Sequence, residues 1–303
     1  MPDNLASIAD HIRYSFSQLQ QAEVFFGHGY ESAWDEAVHL VLQSLHLPWD
    51  FAQELWHCRL TREECDKIGD AINQRISERK PLAYITGQAW FCGLAFEVNP
   101  SVLIPRSPIA ELIENDFQPW LNNAPSRILD ICTGSGCIGI AMAMQFEAAD
   151  VDLIDISPEA LAIARRNIAR YGLEDRVEAV LSDGCAEILE ARTGAYDLIV
   201  SNPPYVDADD LAAMPPEYHH EPRLGLEAGK DGLDLVHRLL REAAQLISAD
   251  GLLVMEVGNS WEALEAAYPE TAFTWIEFER GGHGVFVMSA QELKAMPLVS
   301  PDS

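Results

Sequence analysis

The sequence predicts an α/β fold in which a mostly parallel sheet follows a small helical domain and a β-hairpin. Three observations support this fold. Short apolar runs alternate with helical stretches after residue 127, a glycine-rich turn follows the first of these runs, and apolar residues recur every three or four positions over the first 80 residues. A chain of 303 residues that is 48% hydrophobic is long enough for about two domains.

The first 80 residues are predicted to form helices. Apolar residues have helical spacing over residues 5–19 and again over residues 34–45. A third helix is expected from Thr61, where Glu64 completes a capping box, to about Arg79.

A β-hairpin is predicted over residues 84–98, because aromatic and β-branched residues surround Gly93. It follows Pro81, which cannot continue the preceding helix. The chain is therefore expected to have three parts: a helical domain (1–80), a β-hairpin linker (81–105) and an α/β domain (106–303).

The α/β domain is expected to begin with a helix from Ile109 to about Phe117, with Pro108 in its first turn. Five apolar runs predict parallel strands, over residues 127–131, 151–154, 177–181, 196–200 and 251–257. Helices are expected between them, notably over 158–170 and 233–247. Two further runs, 273–278 and 285–288, are expected to close the sheet as an antiparallel pair.

Composition and charge exclude several classes of function. The chain has 48 acidic and 20 basic residues, a formal net charge of −28, which argues against direct DNA binding and suits a basic partner. No apolar stretch reaches the roughly 20 residues that span a membrane, and no signal peptide is visible. The six cysteines form no C-x-x-C pair, so we expect reduced thiols, no metal site and a cytoplasmic location.

A glycine-rich turn, DICTGSGCIG over residues 130–139, joins the first parallel strand to a helix. Such a turn lets a ligand approach the backbone and presents the free N–H groups of a helix N-terminus. Its glycines match G-x-G-x-x-G, and Asp155 lies at the end of the next strand, so a dinucleotide-dependent oxidoreductase is one interpretation.

The carboxylate of Asp130 argues against that interpretation, because it would repel a pyrophosphate and attract a cation. S-adenosylmethionine carries an ammonium and a sulfonium and has no phosphate. Asp155 could bind its ribose and Asp183 its adenine amino group, although each aspartate could instead only cap the helix that follows it. The residues predicted to bind S-adenosylmethionine, and its product S-adenosylhomocysteine, are Asp130, Thr133, Gly134, Ser135, Gly136, Asp155, Asp183 and Asn202.

The fourth predicted strand runs into Asn202-Pro203-Pro204-Tyr205. The Asn202 side-chain oxygen and the Pro203 carbonyl can accept the two N–H bonds of a planar NH₂ group, whose lone pair must be turned toward the methyl carbon. The Tyr205 ring can stack on the planar acceptor. We therefore predict Asn202, Pro203 and Tyr205 as catalytic, with Pro204 also contacting substrate, whereas a plain turn is the alternative.

Together, DICTGSGCIG, Asp155 and NPPY resemble class I S-adenosylmethionine-dependent methyltransferases that act on a planar NH₂ group. These include adenine-N6 DNA methyltransferases and HemK-type protein glutamine methyltransferases, and the helical domain, hairpin and catalytic domain resemble the latter. The resemblance implies a seven-stranded Rossmann-like sheet with its last strand antiparallel. It also implies that the N-terminal domain reads the protein substrate and that Pro105 and Arg106 lie near the cofactor.

Finer motifs resemble the PrmB branch of the HemK-type family, whose members methylate a glutamine of large-subunit ribosomal protein three. They are IPRSPI (104–109), EPRLGLEAGKDGLDL (221–235), EVGNS (256–260) and GGHGVF (281–286), with His283 where an acidic residue is expected in relatives. The same reaction on the GGQ glutamine of class I peptide release factors is the alternative. A DNA methyltransferase would need a basic face or a longer insert after Tyr205 than this chain has.

Overall fold

The computed structural model describes residues 4–30, 32–229 and 231–297. The chain forms two compact units. The first comprises Met1–Ala89, Val98–Pro100 and Pro215–His220, and the second comprises Trp90–Glu97, Ser101–Met214 and Glu221–Ser303. These two units are defined by how densely the chain packs. They do not test the division into a helical domain, a hairpin linker and an α/β domain that the sequence predicts, which stays a prediction.

The first unit is helical, as predicted, with α1 (Ile8–Gln21), α2 (Ala33–Ser44) and α3 (Arg62–Ser77). Thr61 and Glu64 form the predicted capping box at the start of α3. The three helices bury one apolar cluster that includes Ile12, Leu40 and Ile68.

A short helix, α4 (Leu82–Thr86), lies where the hairpin was expected to begin. Gly87 ends it in the left-handed conformation, so the hairpin starts only at Gln88 and comprises β1 (Gln88–Phe91) and β2 (Leu94–Glu97). Cys92 and Gly93 form its turn with φ of 47° and 71°, the pair of positive values that a tight two-residue hairpin requires.

The second unit contains the predicted seven-stranded sheet. Its strands are β3 (Arg127–Ile131), β4 (Asp150–Asp155), β5 (Val177–Leu181), β6 (Tyr196–Ser201), β7 (Ile247–Glu256), β8 (Thr274–Trp275) and β9 (Val285–Ser289). Their spatial order is β5-β4-β3-β6-β7-β9-β8. The last strand, β9, runs antiparallel to both of its neighbours, and β3 to β7 pair in parallel.

Helices cover both faces of this sheet, so its central strands are apolar on both sides. They are α5 (Ile109–Glu114), α6 (Cys137–Gln145), α7 (Pro158–Tyr171), α9 (Asp234–Leu246), α10 (Trp261–Ala267) and α11 (Ala290–Ala295). A further short helix, α8 (Ala208–Ala213), follows β6 along the chain. Within β3, Ile128 packs into the cluster with α5, α6 and α7, whereas Leu129 packs into the cluster with α9, α10 and α11.

Three predicted boundaries were wrong. The helix expected to reach Phe117 ends at Glu114, because Asp116 and Phe117 adopt positive φ. β7 begins at Ile247 rather than at residue 251, and β8 has only two residues where a strand over 273–278 was expected. These differences shift the ends of elements and leave the succession of strands along the chain as predicted.

No helix in the described parts of the chain is long and apolar enough to cross a membrane. All six cysteines are free thiols. Among the residues that the structure describes, no group of three or more His, Cys, Asp or Glu side chains is placed to hold a metal ion.

Candidate active site

A cavity of about 440 Å³ opens where β3, β4, β5 and β6 end. Of the residues predicted to bind cofactor or substrate, those that line it are Thr133, Gly134, Ser135, Asp155, Asp183, Asn202 and Pro204. Pro105 and Arg106, which the family resemblance placed near the cofactor, line it too. Four others, Asp130, Gly136, Pro203 and Tyr205, are not among its lining residues. The volume is in the range of cavities that bind small ligands and cofactors.

The glycines of the turn after β3 have two different tasks. Gly134 has φ of 58°, and a Cβ built on it would meet no atom within 4 Å, so its backbone borders open space. Gly136 lies behind the turn, where a Cβ would press on Ala164 and Leu153. Gly134 therefore leaves room for a ligand, whereas Gly136 allows close packing of α6.

Asp130 lies behind the cavity wall, where it is 1% exposed. Its Oδ2 accepts hydrogen bonds from Thr133 Oγ1 (2.6 Å) and from the Gly139 N–H (2.9 Å). Burial raises the pKa of this carboxyl to about 7. Its Oδ1 is buried without a hydrogen-bond partner in the described chain. Asp130 thus organises the turn and the start of α6.

Asp155 lines the cavity and also braces the turn. Its Oδ2 accepts from the Gly134 N–H and its Oδ1 from the Ser157 N–H, both at 2.9 Å. Burial raises the pKa of Asp155 above its ordinary value, whereas these backbone hydrogen bonds act to lower it. The helix-cap interpretation and the cavity position therefore both apply to this residue.

Asp183 lies on an exposed loop that α9 holds in place. Arg238 donates from Nη1 to Asp183 Oδ1 at 2.6 Å and from Nε to Glu242 Oε1 at 2.7 Å. The other Glu242 oxygen accepts from the Cys185 N–H at 2.8 Å. The sequence offered no sign of these contacts, because Arg238 and Glu242 lie more than 50 positions along the chain from the loop that they hold.

The segment after β6 carries the predicted acceptor motif. Asn202 and Pro204 line the cavity, and Pro203 is buried beside them. Ser201 Oγ donates to the Ile131 carbonyl at 3.0 Å, which ties the ends of β6 and β3 together. Tyr205 lies further from the cavity, with its hydroxyl on Glu256 Oε1 at 2.7 Å.

Residues 101–107 form another wall of the cavity, and two buried glutamates anchor it. Glu221 accepts both Arg106 Nη atoms, at 2.6 and 2.8 Å, and the Ile104 N–H at 3.0 Å. Glu256 accepts from Ser107 Oγ at 2.6 Å. Neither glutamate was predicted as a functional residue, although a single acidic residue directly after the apolar run of β7 is a usable signal for Glu256.

The lining suits a ligand without phosphate groups. Among the described lining residues, Arg106 is the only basic side chain, and its guanidinium is held by Glu221. Asp155 and Asp183 bring carboxylates to the same cavity. A pyrophosphate would meet repulsion there, whereas the ammonium and sulfonium of S-adenosylmethionine fit both this charge and the space beside Gly134.

A family model matches the central part of the chain. Residues 116–214 match the family model "Methyltransferase small domain". A methyltransferase of known structure from Pyrococcus furiosus aligns with 65% of this chain and 89% of its own, at 23% identity and a TM-score of 0.47.

Two relatives are much closer in sequence, and both are named ribosomal protein uL3 glutamine methyltransferase. The protein from Francisella tularensis subsp. tularensis is 50% identical over 96% of this chain and 92% of its own length. The protein from Xanthomonas campestris pv. campestris is 49% identical over 97% of this chain and 94% of its own length. The chain therefore belongs to the family of ribosomal protein uL3 glutamine methyltransferases.

Proposed function

We propose that the protein transfers a methyl group from S-adenosylmethionine to the side-chain amide nitrogen of a glutamine in large-subunit ribosomal protein three, uL3. The observation that carries this proposal is the position of Asn202, whose motif follows β6 and borders the same cavity as Gly134 and Asp155. The names of the two relatives supply the substrate.

We assign the cofactor to the side of the cavity formed by β3, β4 and β5. Gly134 and its neighbours Thr133 and Ser135 would hold the methionine part, Asp155 the ribose hydroxyls and Asp183 the adenine amino group. When bound, S-adenosylmethionine supplies an electrophilic methyl group on a sulfonium. Asp130 and Gly136 would act from behind the turn, by fixing its shape.

We assign the acceptor amide to Asn202 and Pro203. The Asn202 side-chain oxygen and the Pro203 carbonyl would accept the two N–H bonds of the amide and turn its lone pair toward the cavity. Proline at 203 and 204 restricts the backbone that carries the two acceptors. This arrangement uses positioning and electrostatics without a titrating base. As the amide nitrogen bonded to the methyl carbon, the sulfonium–methyl bond would break to leave S-adenosylhomocysteine, and one amide proton would pass to solvent. Contact of Pro204 with the substrate and stacking of the Tyr205 ring on the amide remain part of the proposal.

Substrate capture is assigned to the N-terminal helical domain, with the catalytic domain supplying the chemistry. Ribosomal proteins are basic, and a formal net charge of −28 favours encounter with them. A cytoplasmic location, where ribosomal proteins are made, follows from this substrate.

A methyl-transfer assay tests the proposal. Tritiated S-adenosylmethionine is offered with purified uL3, with a class I release factor and with DNA in parallel. We expect label in uL3. Label in the release factor alone would keep the amide chemistry and replace the substrate, whereas label in DNA, or in none of the three, would contradict the proposal.

A further inference from the structure

We infer that Glu256 is a positioning residue that holds the acceptor motif in place through the Tyr205 hydroxyl. The inference rests on the proposed methyl transfer at Asn202. Glu256 does not line the cavity, so it acts through its neighbours rather than on the substrate.

The first observation is the buried carboxylate itself. Glu256 is the last residue of β7 and is 5% exposed. A buried charge is costly unless hydrogen bonds compensate it, and each oxygen of this carboxylate accepts a short one. Oε1 accepts from the Tyr205 hydroxyl at 2.7 Å, and Oε2 accepts from the Ser107 hydroxyl at 2.6 Å.

The second observation is that Tyr205 is fixed at three points. Besides the hydroxyl, its carbonyl accepts from Ser260 Oγ at 3.0 Å. Its ring lies against Gly258, which has φ of 48° and where a Cβ would overlap the ring atoms. These three contacts come from Glu256, Gly258 and Ser260, so the end of β7 and the residues that follow it hold both the hydroxyl and the backbone of Tyr205.

The third observation concerns the path from Tyr205 to Asn202. Only Pro203 and Pro204 lie between them, and each proline fixes its own φ. A constraint on Tyr205 is therefore passed on to the oxygens assigned to the acceptor amide. The other Glu256 oxygen holds Ser107, which lines the cavity, so Glu256 links the acceptor motif to the cavity wall.

Removal of one hydroxyl isolates this link. Tyr205→Phe keeps the ring but removes the hydrogen bond to Glu256. Because a small displacement of positioning groups costs rate, we expect kcat to fall about tenfold or more. The dissociation constant of S-adenosylmethionine should stay unchanged, since Gly134 and Asp155 are untouched. Tyr171→Phe is the matched control, because it removes a hydroxyl that donates to the Ala95 carbonyl and is remote from the cavity lining.

A double-mutant cycle that combines Tyr205→Phe with Glu256→Gln then tests whether Glu256 acts on kcat through the Tyr205 hydroxyl. We expect the loss of kcat in the double variant to be smaller than the product of the two single losses, because the Tyr205–Glu256 hydrogen bond can be lost only once, although Glu256→Gln also alters the hydrogen bond to Ser107. Measurements use the full-length chain with uL3 and saturating S-adenosylmethionine, with calorimetry for cofactor binding and thermal unfolding to confirm that each variant is folded.

Two results would overturn the inference: normal kcat in Tyr205→Phe, or effects that multiply in the double variant. If Glu256→Gln does not fold, Tyr205→Phe alone decides the question. Failure of the proposed function is a different result, since the wild-type enzyme would then transfer no methyl group to uL3.

Discussion

The two sides of the cavity are built in different ways. On the cofactor side, the glycine-rich turn is held by contacts that are short in sequence: Thr133 bonds to Asp130 three residues away, and Gly134 to Asp155 21 residues away. On the acceptor side, the contacts are distant in sequence. Tyr205 and Glu256 are 51 positions apart, and Ser107 and Glu256 are 149 positions apart.

Because of this difference, substitutions on the two sides should alter different measured quantities. A change in the turn should alter cofactor affinity or local folding, because backbone N–H groups and glycines form it. A change at the acceptor motif should alter kcat, because side-chain hydrogen bonds there hold the reacting amide. Substitutions on each side can therefore be tested separately.

Loss of the Asn202 side chain should have the largest effect. Asn202→Ala removes one of the two acceptors assigned to the amide, so we expect kcat to fall by about 10²–10³-fold. Cofactor affinity, measured by calorimetry, should stay close to the wild-type value. Asn73→Ala, on exposed surface of α3, serves as the control. Near-normal turnover by Asn202→Ala would remove this residue from the mechanism.

Loss of the Asp155 side chain should have the opposite signature. Asp155→Ala removes the proposed ribose ligand and the brace on the Gly134 N–H. We expect the dissociation constant of S-adenosylmethionine to rise about 10–100-fold, with kcat at saturation little changed. Asp197→Ala is the control, since Asp197 also accepts from backbone N–H groups but is not a lining residue. Equal affinity in the Asp155 and Asp197 variants would contradict the assignment.

A substitution that disturbs the close packing at Gly139, behind the glycine-rich turn, should lower the free energy of unfolding. In Gly139→Ala, the new methyl group would overlap Leu153 and crowd Asp130, both of them buried. We expect a loss of about 1–3 kcal/mol in the free energy of unfolding, measured with urea. In Gly225→Ala the methyl group would make only ordinary contacts, with Pro222 and Leu103, so this variant should unfold like the wild type.

Taken over a single pH unit, the pH dependence of Asp130 should be the smallest effect. Burial raises the pKa of Asp130 from 3.8 to about 7, so between these pH values the unfolded chain loses a proton that the folded chain keeps. The contribution of Asp130 to stability therefore falls as pH rises through this window, by at most about 1.4 kcal/mol per pH unit, and levels off above it. Asp130→Asn should lack this slope. Urea unfolding of both proteins at several pH values measures it, and parallel profiles would contradict the shifted pKa.

Local patterns were enough to predict most of the fold. The apolar runs of β3 to β6 and the capping box at Thr61 depend on spacing within short segments, whereas the antiparallel direction of β9 followed from the family resemblance. Two of the errors occurred where a single backbone conformation decides the outcome. Gly87 ends an unpredicted α4, and the positive φ of Asp116 and Phe117 shortens α5.

The location of the candidate residues around the cavity was predictable in part. The sequence motifs indicated residues around one cavity, and the structure places seven of the eleven predicted residues in its lining. The clamp of Arg238 on Asp183 and the link from Glu256 to Tyr205 were not predicted. Both depend on which distant side chains the strand order brings together, and one sequence without its fold does not contain that pairing.

The chemistry of the acceptor is the central claim, and the position of the transferred methyl group tests it most directly. After incubation of uL3 with the enzyme and S-adenosylmethionine, fragmentation mass spectrometry locates the added methyl group. The account predicts one methyl group on the side-chain nitrogen of a single glutamine, and no transfer when glutamate replaces that glutamine. A methyl group on a lysine, an arginine or a carboxylate would contradict an acceptor site built from Asn202 and Pro203.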